Sequence, residues 1–212
     1  MNRSIFLFGA SGHAKVVLDA ARLQGFGRVA LFDDDPSRAG GVVLGAPVVG
    51  GRDEVRRWVA ERGTARGIVT IGENRVREQV ASWLLGQELE LATLTHPSAI
   101  VAEDVTVGPG SVLLAGAIVN PATVIGVNVI INTAATVDHD CSIGNAVHIA
   151  PGCHLCGGVT VGDRTLVGAG AIVVPGICIG RDALIGAGST VTRDVADGSR
   201  VAGVPARALK KR

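Results

Sequence analysis

The chain has 212 residues, is 47% hydrophobic and carries a formal net charge of +1. A chain of this length forms one or two domains with a substantial core. Its lysines and arginines are dispersed apart from the tail Lys210-Lys211-Arg212, which we interpret as a solvated terminus, so we expect no nucleic-acid binding. No apolar run is long enough to cross a membrane. We expect no signal peptide, because the first residues lead straight into a strand and a glycine-rich turn.

The N-terminal part of the sequence alternates strand and helix patterns. An apolar run at residues 4–8 is typical of a buried parallel strand. The turn Gly9-Ala10-Ser11-Gly12-His13 follows, then an amphipathic helix over 14–24 and a second strand over 28–32 that ends in Asp33-Asp34-Asp35. This order indicates a Rossmann-like βαβ unit that binds a mononucleotide. The α/β pattern continues with a helix after Arg52, a strand at 67–71 and a helix over 75–85.

The glycine-rich turn is the first candidate ligand site. It lacks the third glycine of the dinucleotide fingerprint, but backbone N–H groups at the start of the next helix can hold an anion or a sugar hydroxyl. We therefore expect Gly9, Ser11, Gly12 and His13 to contact a ligand. A plain tight turn is the alternative for the glycines, and packing against the helix is the alternative for His13.

The acids that end the second strand are the next candidates. An acid at this position commonly hydrogen-bonds a ribose or a base, and we expect Asp33 and Asp34 to face a ligand and Asp35 not to. A solvated turn before Pro36 is the alternative. The half-site suits one nucleotide better than a dinucleotide.

The second half of the sequence repeats every six residues. Every sixth residue from Val101 to Val191 is aliphatic, and every sixth residue from Val105 to Val195 is mostly small or β-branched. A six-residue period fits neither a helix nor a continuous strand, but it fits short strands joined by tight corners in a parallel β-helix. Three repeats would close one coil, and coils stacked at roughly 4.8 Å would form an all-β prism. We expect domains at 1–95 and 96–212, the second ending in a short cap.

The cysteines fall inside this repeat. Cys141 and Cys153 occupy the small inward position and are interpreted as core residues. Nothing in the sequence indicates a disulfide framework, so we expect a reducing cytoplasm as the location of the protein.

One histidine of the repeat has acidic neighbours on both sides. His139 lies between Asp138 and Asp140, and a nearby carboxylate orients an imidazole and raises its basicity, as a general base requires. An ordinary surface histidine is the alternative. His148 follows nine residues later, half a coil away, so a site shared by both would lie between neighbouring prisms. Three histidines of a trimer could bind zinc, which would need a close convergence that a sequence cannot show.

The sequence resembles the left-handed β-helix sugar acetyltransferases that include the bacillosamine and perosamine N-acetyltransferases and the sialic acid O-acetyltransferases. The motifs that carry the resemblance are Gly9-Ala10-Ser11-Gly12-His13, Phe32-Asp33-Asp34, Ile131-Asn132-Thr133, Val137-Asp138-His139-Asp140-Cys141 and Val147-His148. The resemblance implies a homotrimer, with acetyl-CoA between the prisms and a nucleotide-linked sugar on the N-terminal domain.

The resemblance also implies roles for single residues. His139 would be the base, oriented by Asp140, while Asn132 and His148 would contact substrates. Acetyl-CoA would lie along His148, Gly157, Ala169 and Pro175. Asp140 is shorter than the glutamate of some members, so it could reach His139 less directly, and Asp138 is a rival partner.

The reaction that we expect is direct acetyl transfer from acetyl-CoA to the 4-amino group of a nucleotide-linked 4-amino-4,6-dideoxy sugar, with positioning carrying much of the rate. No metal is expected. O-acetylation of a sugar hydroxyl such as that of a sialic acid, a metal-dependent enzyme of the carbonic-anhydrase type and a non-catalytic sugar-nucleotide-binding protein are the alternatives. The sequence does not reveal the nucleotide or the sugar.

Overall fold

The computed structural model describes residues 3–63 and 66–209, so the basic tail lies outside the described residues. The N-terminal part has a short 3₁₀ helix at Pro36–Arg38 and the following larger elements: β1 (Arg3–Phe8), α1 (Gly12–Leu23), β2 (Phe26–Phe32), β3 (Val42–Val43), β4 (Ala46–Gly50), α2 (Arg52–Arg62), β5 (Arg66–Val69), α3 (Asn74–Gly86) and β6 (Glu90–Leu91).

These strands form one sheet in the order β3-β4-β2-β1-β5-β6, which is parallel except for the β3–β4 pair. The predicted βαβ unit is therefore confirmed. Helix α1 begins at Gly12, earlier than predicted, because the turn residues already adopt helical geometry. The predicted strand at 67–71 ends at Val69, so Ile71 and Gly72 belong to the turn that follows it. The β3–β4 hairpin was not predicted.

The second part of the chain is built from short strands, mostly two residues long, at six-residue intervals. They are β7 (Leu94–Thr95), β8 (Ile100–Val101), β9 (Thr106–Val107), β10 (Val112–Leu113), β11 (Ile118–Val119), β12 (Val124–Ile125), β13 (Ile130–Ile131), β14 (Thr136–Val137), β15 (Ser142–Ile143), β16 (His148–Ile149), β17 (His154–Leu155), β18 (Thr160–Val161), β19 (Leu166–Val167), β20 (Ile172–Val173), β21 (Cys178–Ile179), β22 (Leu184–Ile185), β23 (Thr190–Val191), β24 (Arg200–Ala202) and β25 (Arg207–Ala208).

Every third strand joins the same sheet, which gives the prism three faces. The first sheet runs from β7 through β10, β13, β16, β19 and β22 to β24 and β25, the second from β8 to β23 and the third from β9 to β21. Strands β24 and β25 form an antiparallel pair that closes the end. This is the parallel β-helix that the six-residue period predicted, and its left hand is what the family resemblance implied. Strand β7, which ends at residue 95, already pairs with β10 of the prism, and the domain division at 95 stays a prediction.

The two ladders of the sequence fill the prism. The second residue of each strand from β10 to β23 points inward, and Ile131, Ile149 and Val167 have no exposed surface. The small positions behave in the same way, since Cys141 and Cys153 are buried and free. The predicted core residues are therefore confirmed as the core of the prism.

The N-terminal domain covers the part of the first sheet that contains β10 and β13. Val112 and Ile130, the outward residues of β10 and β13, are buried in one cluster with Leu7 and Val17. His148 is the next outward residue on this sheet and is only half-buried. The functional residues of the first sheet therefore lie where the cover of the N-terminal domain ends.

Candidate active site

The glycine-rich turn lies between β1 and α1. Gly9 has a φ of +113°, and a Cβ on it would lie 2.8 Å from the Thr70 carbonyl oxygen, so both the backbone angle and the close approach of β5 require glycine. Ser11 and Gly12 are exposed at the start of α1, and the Ser11 side chain makes no capping hydrogen bond. These two residues can therefore face a ligand, as predicted from the sequence.

The two acids predicted to face a ligand both have protein partners. Asp33 Oδ2 accepts a hydrogen bond of 2.7 Å from the Ala10 backbone N–H, and Oδ1 accepts one from the Asp35 N–H. Asp34 forms an ion pair with Arg52 at 3.0 Å. Asp33 thus fixes the glycine-rich turn, and a contact of either acid with a ligand stays a prediction.

His13, Asn132 and His148 come together where α1 meets the prism. The His13 and His148 rings lie 6.4 Å apart between centroids, and Asn132 Nδ2 lies 3.0 Å from His148 Nε2. Asn132 Oδ1 accepts a hydrogen bond from the Thr133 N–H, so the amide nitrogen must face the imidazole and donate to Nε2. The proton of neutral His148 is therefore on Nδ1, and the neighbouring Gly72 carbonyl partly opposes the lowering of the pKa of this ring.

Both histidines of this cluster are held uncharged. Burial, then His148 and then the cation of Arg77 lower the pKa of His13 to about 4. Burial followed by Arg77 lowers the pKa of His148 to about 4 as well. The buried Nε2 atom of His13 has no hydrogen-bond partner among the described residues. The cluster therefore offers neutral hydrogen-bonding groups at neutral pH rather than cations.

His139 occupies the corner after β14, on another edge of the prism. Its Nδ1 atom lies 2.7 Å from Asp140 Oδ2, and its side chain is 61% exposed. Asp138 does not compete for the ring, because its Oδ1 atom accepts hydrogen bonds from Asn120 Nδ2 and from the His139 backbone N–H. The expectation that the short Asp140 would reach His139 less directly is therefore wrong.

This arrangement gives His139 the properties of a base. The hydrogen bond that His139 donates to Asp140 is the first cause that raises the pKa of His139, and the charge of Asp138 is the second. Because Nδ1 donates to Asp140, the lone pair of the neutral ring is on Nε2. The ring lies against Gly157, where an added Cβ would be 2.6 Å from Nε2.

The residues expected to contact acetyl-CoA lie along two edges of one face. Gly157 and Pro175 follow His139 at intervals of one coil, as the bonds from the Gly158 N–H to the His139 carbonyl and from the Gly176 N–H to the Gly157 carbonyl show. Ala169 belongs to the edge that carries Asn132. The second sheet lies between these edges, so one prism alone does not bring them together.

Two residues of this region were missed in the sequence. Arg77 lies in the buried stripe of α3 with Val80, Ala81 and Leu84, and an arginine within an apolar stripe is a signal that could have identified it. The Gly72 carbonyl carried no such signal, because backbone acceptors depend on the fold alone.

Residues 3–63 and 66–209 contain no cluster of three or more His, Cys, Asp or Glu side chains suited to a metal. No helix in the part of the chain that the structure describes is both long and apolar enough to cross a membrane.

The fold joins a Rossmann-like N-terminal domain to a hexapeptide-repeat β-helix that carries the His139–Asp140 pair. The PglD N-terminal domain family matches residues 4–84, the bacterial transferase hexapeptide family matches 140–173, and the hexapeptide repeat of succinyl-transferase matches 158–193. A histidine-to-asparagine mutant of perosamine N-acetyltransferase from Caulobacter crescentus, solved with CoA and GDP-perosamine, is 42% identical, with a TM-score of 0.92 over 98% of this chain and 97% of that chain.

Two further proteins similar to this chain are also acetyltransferases. The acetyltransferase domain of PglB from Neisseria gonorrhoeae FA1090, in complex with acetyl coenzyme A, is 36% identical with a TM-score of 0.90 over 99% of this chain and 100% of that chain. UDP-N-acetylbacillosamine N-acetyltransferase from Bacillus subtilis (strain 168) is 36% identical over 53% of this chain and 52% of that protein. The chain spans about half the length of the curated relatives it matches. The chain belongs to the family of sugar N-acetyltransferases that join a PglD-type N-terminal domain to a hexapeptide-repeat β-helix.

Proposed function

We propose that the protein transfers an acetyl group from acetyl-CoA to the 4-amino group of a nucleotide-linked 4-amino-4,6-dideoxy sugar. The observation that carries this proposal is the exposed His139 ring, held by Asp140 at 2.7 Å with its Nε2 lone pair free for a proton. The relatives solved with GDP-perosamine and with acetyl coenzyme A support the choice of acceptor and donor.

The reaction requires one proton transfer and no covalent enzyme intermediate. The sugar nitrogen attacks the thioester carbonyl, the N–C bond forms and the C–S bond breaks. His139 Nε2 takes the proton of the amine, and the CoA sulfur leaves as a thiolate that receives a proton afterwards. Asn132 retains one amide hydrogen beyond its bond to His148, and this hydrogen is our candidate donor to a substrate.

The active form is a homotrimer in this proposal. The second sheet separates the two candidate acetyl-CoA edges. Its outward residues include no Asp, Glu, Lys or Arg: Ile100, Ile118, Thr136, His154, Ile172 and Thr190. A face without these charged side chains suits contact with a neighbouring prism. Such contact would bring the His139 edge of one subunit to the Asn132 edge of the next. Cross-linking and sedimentation would test the trimer, and a stable monomer with full activity would contradict it.

The cytoplasm is the location that we propose. The four cysteines are free in the structure, including the exposed Cys178, which suits a reducing compartment.

The test is release of CoA thiol with UDP-, GDP- and dTDP-linked 4-amino-4,6-dideoxy sugars, with free sialic acid as a hydroxyl acceptor. We expect one amino sugar to be acetylated and the rate to fall by about 100-fold or more in His139→Asn. His96→Gln is the matched control, because His96 has its own Nδ1 partner in Ser98 and lies two coils below Asn132. Turnover with sialic acid alone would indicate O-acetylation. Full activity of the His139→Asn variant would exclude His139 as the base.

A further inference from the structure

Arg77 is a fully buried cation in the interface between the two domains. It extends from α3, is 1% exposed and donates hydrogen bonds to five backbone carbonyls. Nε bonds Asn128 at 3.1 Å, Nη1 bonds Ile71 and Gly72 at 3.1 and 3.2 Å, and Nη2 bonds Ala146 and Val147 at 2.7 and 3.3 Å. The five N–H groups of the guanidinium are therefore all used.

None of these acceptors is a carboxylate. Burial lowers the pKa of Arg77 to about 10, and the charges of Glu73 and Glu78 on the same helix partly oppose this. The side chain therefore stays charged at neutral pH. A buried charge without an ionic partner is costly for folding, and a leucine at this position of the α3 stripe would avoid that cost. The arrangement consequently calls for a role beyond packing.

The five carbonyls belong to three segments that meet at the candidate site. Ile71 and Gly72 form the turn after β5 in the N-terminal domain, whereas Asn128, Ala146 and Val147 lie in the prism. Val147 directly precedes His148. The Gly72 carbonyl accepts a hydrogen bond from Arg77 Nη1 at 3.2 Å and lies beside the His148 ring, whose pKa it raises. One carbonyl thus connects the buried cation to the imidazole.

We propose that Arg77 is a positioning residue for the substrate-contacting cluster. Its guanidinium fixes the Gly72 carbonyl against the prism, this carbonyl fixes the His148 ring with the proton on Nδ1, and His148 Nε2 fixes the Asn132 amide. The inference rests on the proposed function, in which Asn132 contacts a substrate. It adds that the relative placement of the two domains is set by this hydrogen-bonded chain.

The charge of Arg77 has a second effect on the same cluster. Arg77 faces His148, and Arg77 and His148 both face His13, so the cation disfavours protonation of either ring. An imidazolium at His148 could no longer accept the hydrogen bond from Asn132. Keeping both rings neutral therefore preserves the orientation of the amide.

Arg77→Lys is the first test, because lysine keeps the charge but presents its donors from one nitrogen and cannot span five carbonyls. In unliganded wild-type protein, imidazole nitrogen NMR should show His148 protonated on Nδ1. This is resolvable because the chain has only five histidines. In Arg77→Lys we expect this signature to be lost and kcat/KM for the nucleotide sugar to fall about 10- to 100-fold.

Arg75→Gln is the matched control. Arg75 lies on the same helix and also reaches the prism, through an exposed ion pair with Asp182 at 2.6 Å. Its loss should leave the His148 signal and kcat/KM at their wild-type values. An unchanged His148 signal together with unchanged kcat/KM in Arg77→Lys would overturn the proposal. The NMR readout needs no turnover, so it remains decisive even if the proposed reaction is wrong.

Arg77→Met tests the charge. We expect the pKa values of His13 and His148 to rise by about one unit, the scale of a neighbouring charge, and to remain below 6.5 because burial persists. Unchanged pKa values in a folded variant would refute the electrostatic effect. If Arg77→Met does not fold, an Arg77→Lys protein that keeps both pKa values low supports the effect, and one in which they rise contradicts it.

Discussion

Gly157→Ala should disable the base without changing the fold. Gly157 is not among the glycines with positive φ, so alanine can adopt its backbone conformation. The added Cβ would lie 2.6 Å from Cε1 and Nε2 of His139, whereas carbon contacts are optimal at about 3.5–4.0 Å. The ring must therefore move by about 1 Å. Because the His139 side chain is 61% exposed, it can move outward without loss of burial.

A displacement of this size in a reacting group costs about 100-fold in rate, which is about 2.7 kcal/mol of transition-state stabilisation. We expect kcat, measured by thiol release at saturating substrates, to fall by this factor. CoA affinity and the thermal unfolding temperature should change little. Gly86→Ala is the control, since a Cβ on Gly86 would meet no atom within 4 Å.

The double mutant with His139→Asn decides whether the effect passes through the base. If it does, Gly157→Ala adds almost nothing in the His139→Asn background, because residues that act as a unit are not additive. An equal loss in both backgrounds would refute the reasoning, and so would a Gly157→Ala enzyme with wild-type kcat. Weaker CoA binding would instead identify Gly157 as a contact to the pantetheine arm.

Three further predictions concern the base, the nucleotide-sugar site and the core. The acid limb of kcat/KM should lie above pH 6.5, because the pKa of His139 is raised and the neutral ring is the active form. Asp140→Asn should move this limb to lower pH, and a pH profile with an unmoved limb would contradict the pairing. Asp33→Asn weakens the bond that holds Ala10, so calorimetry should find weaker nucleotide-sugar binding with unaltered CoA binding. Ile149→Ala, at 0% exposure, should lower the free energy of unfolding by about 2–5 kcal/mol, and a change under 1 kcal/mol in urea titrations would contradict its place in the core.

The prism was fully predictable because its determinants are local. Each coil repeats the same short strand and corner, so the inward position is fixed by sequence spacing alone, as the burial of Ile131 and Ile149 shows. The βαβ unit was predictable for the same reason, since a strand, a glycine-rich turn and an amphipathic helix follow one another in the chain. The β3–β4 hairpin escaped prediction because its strands are short and Val42 is exposed, which leaves little hydrophobic pattern.

The candidate base was also visible in the sequence, since His139 and its partner Asp140 are adjacent. The choice between Asp138 and Asp140 could not be made from the sequence, because it depends on Asn120, one coil earlier, which donates a hydrogen bond to Asp138 Oδ1.

The sequence by itself determined the β-helix, the nucleotide-type domain and the position of the candidate base, because these depend on residues that are neighbours in the chain or in the repeat. Only the tertiary structure decided how the two domains meet. His13 lies beside His148, which is 135 residues further along the chain, and Arg77 bonds carbonyls from three separate segments. Every residue has a backbone carbonyl, so a hydrogen bond to a carbonyl cannot be recognised from the residue type.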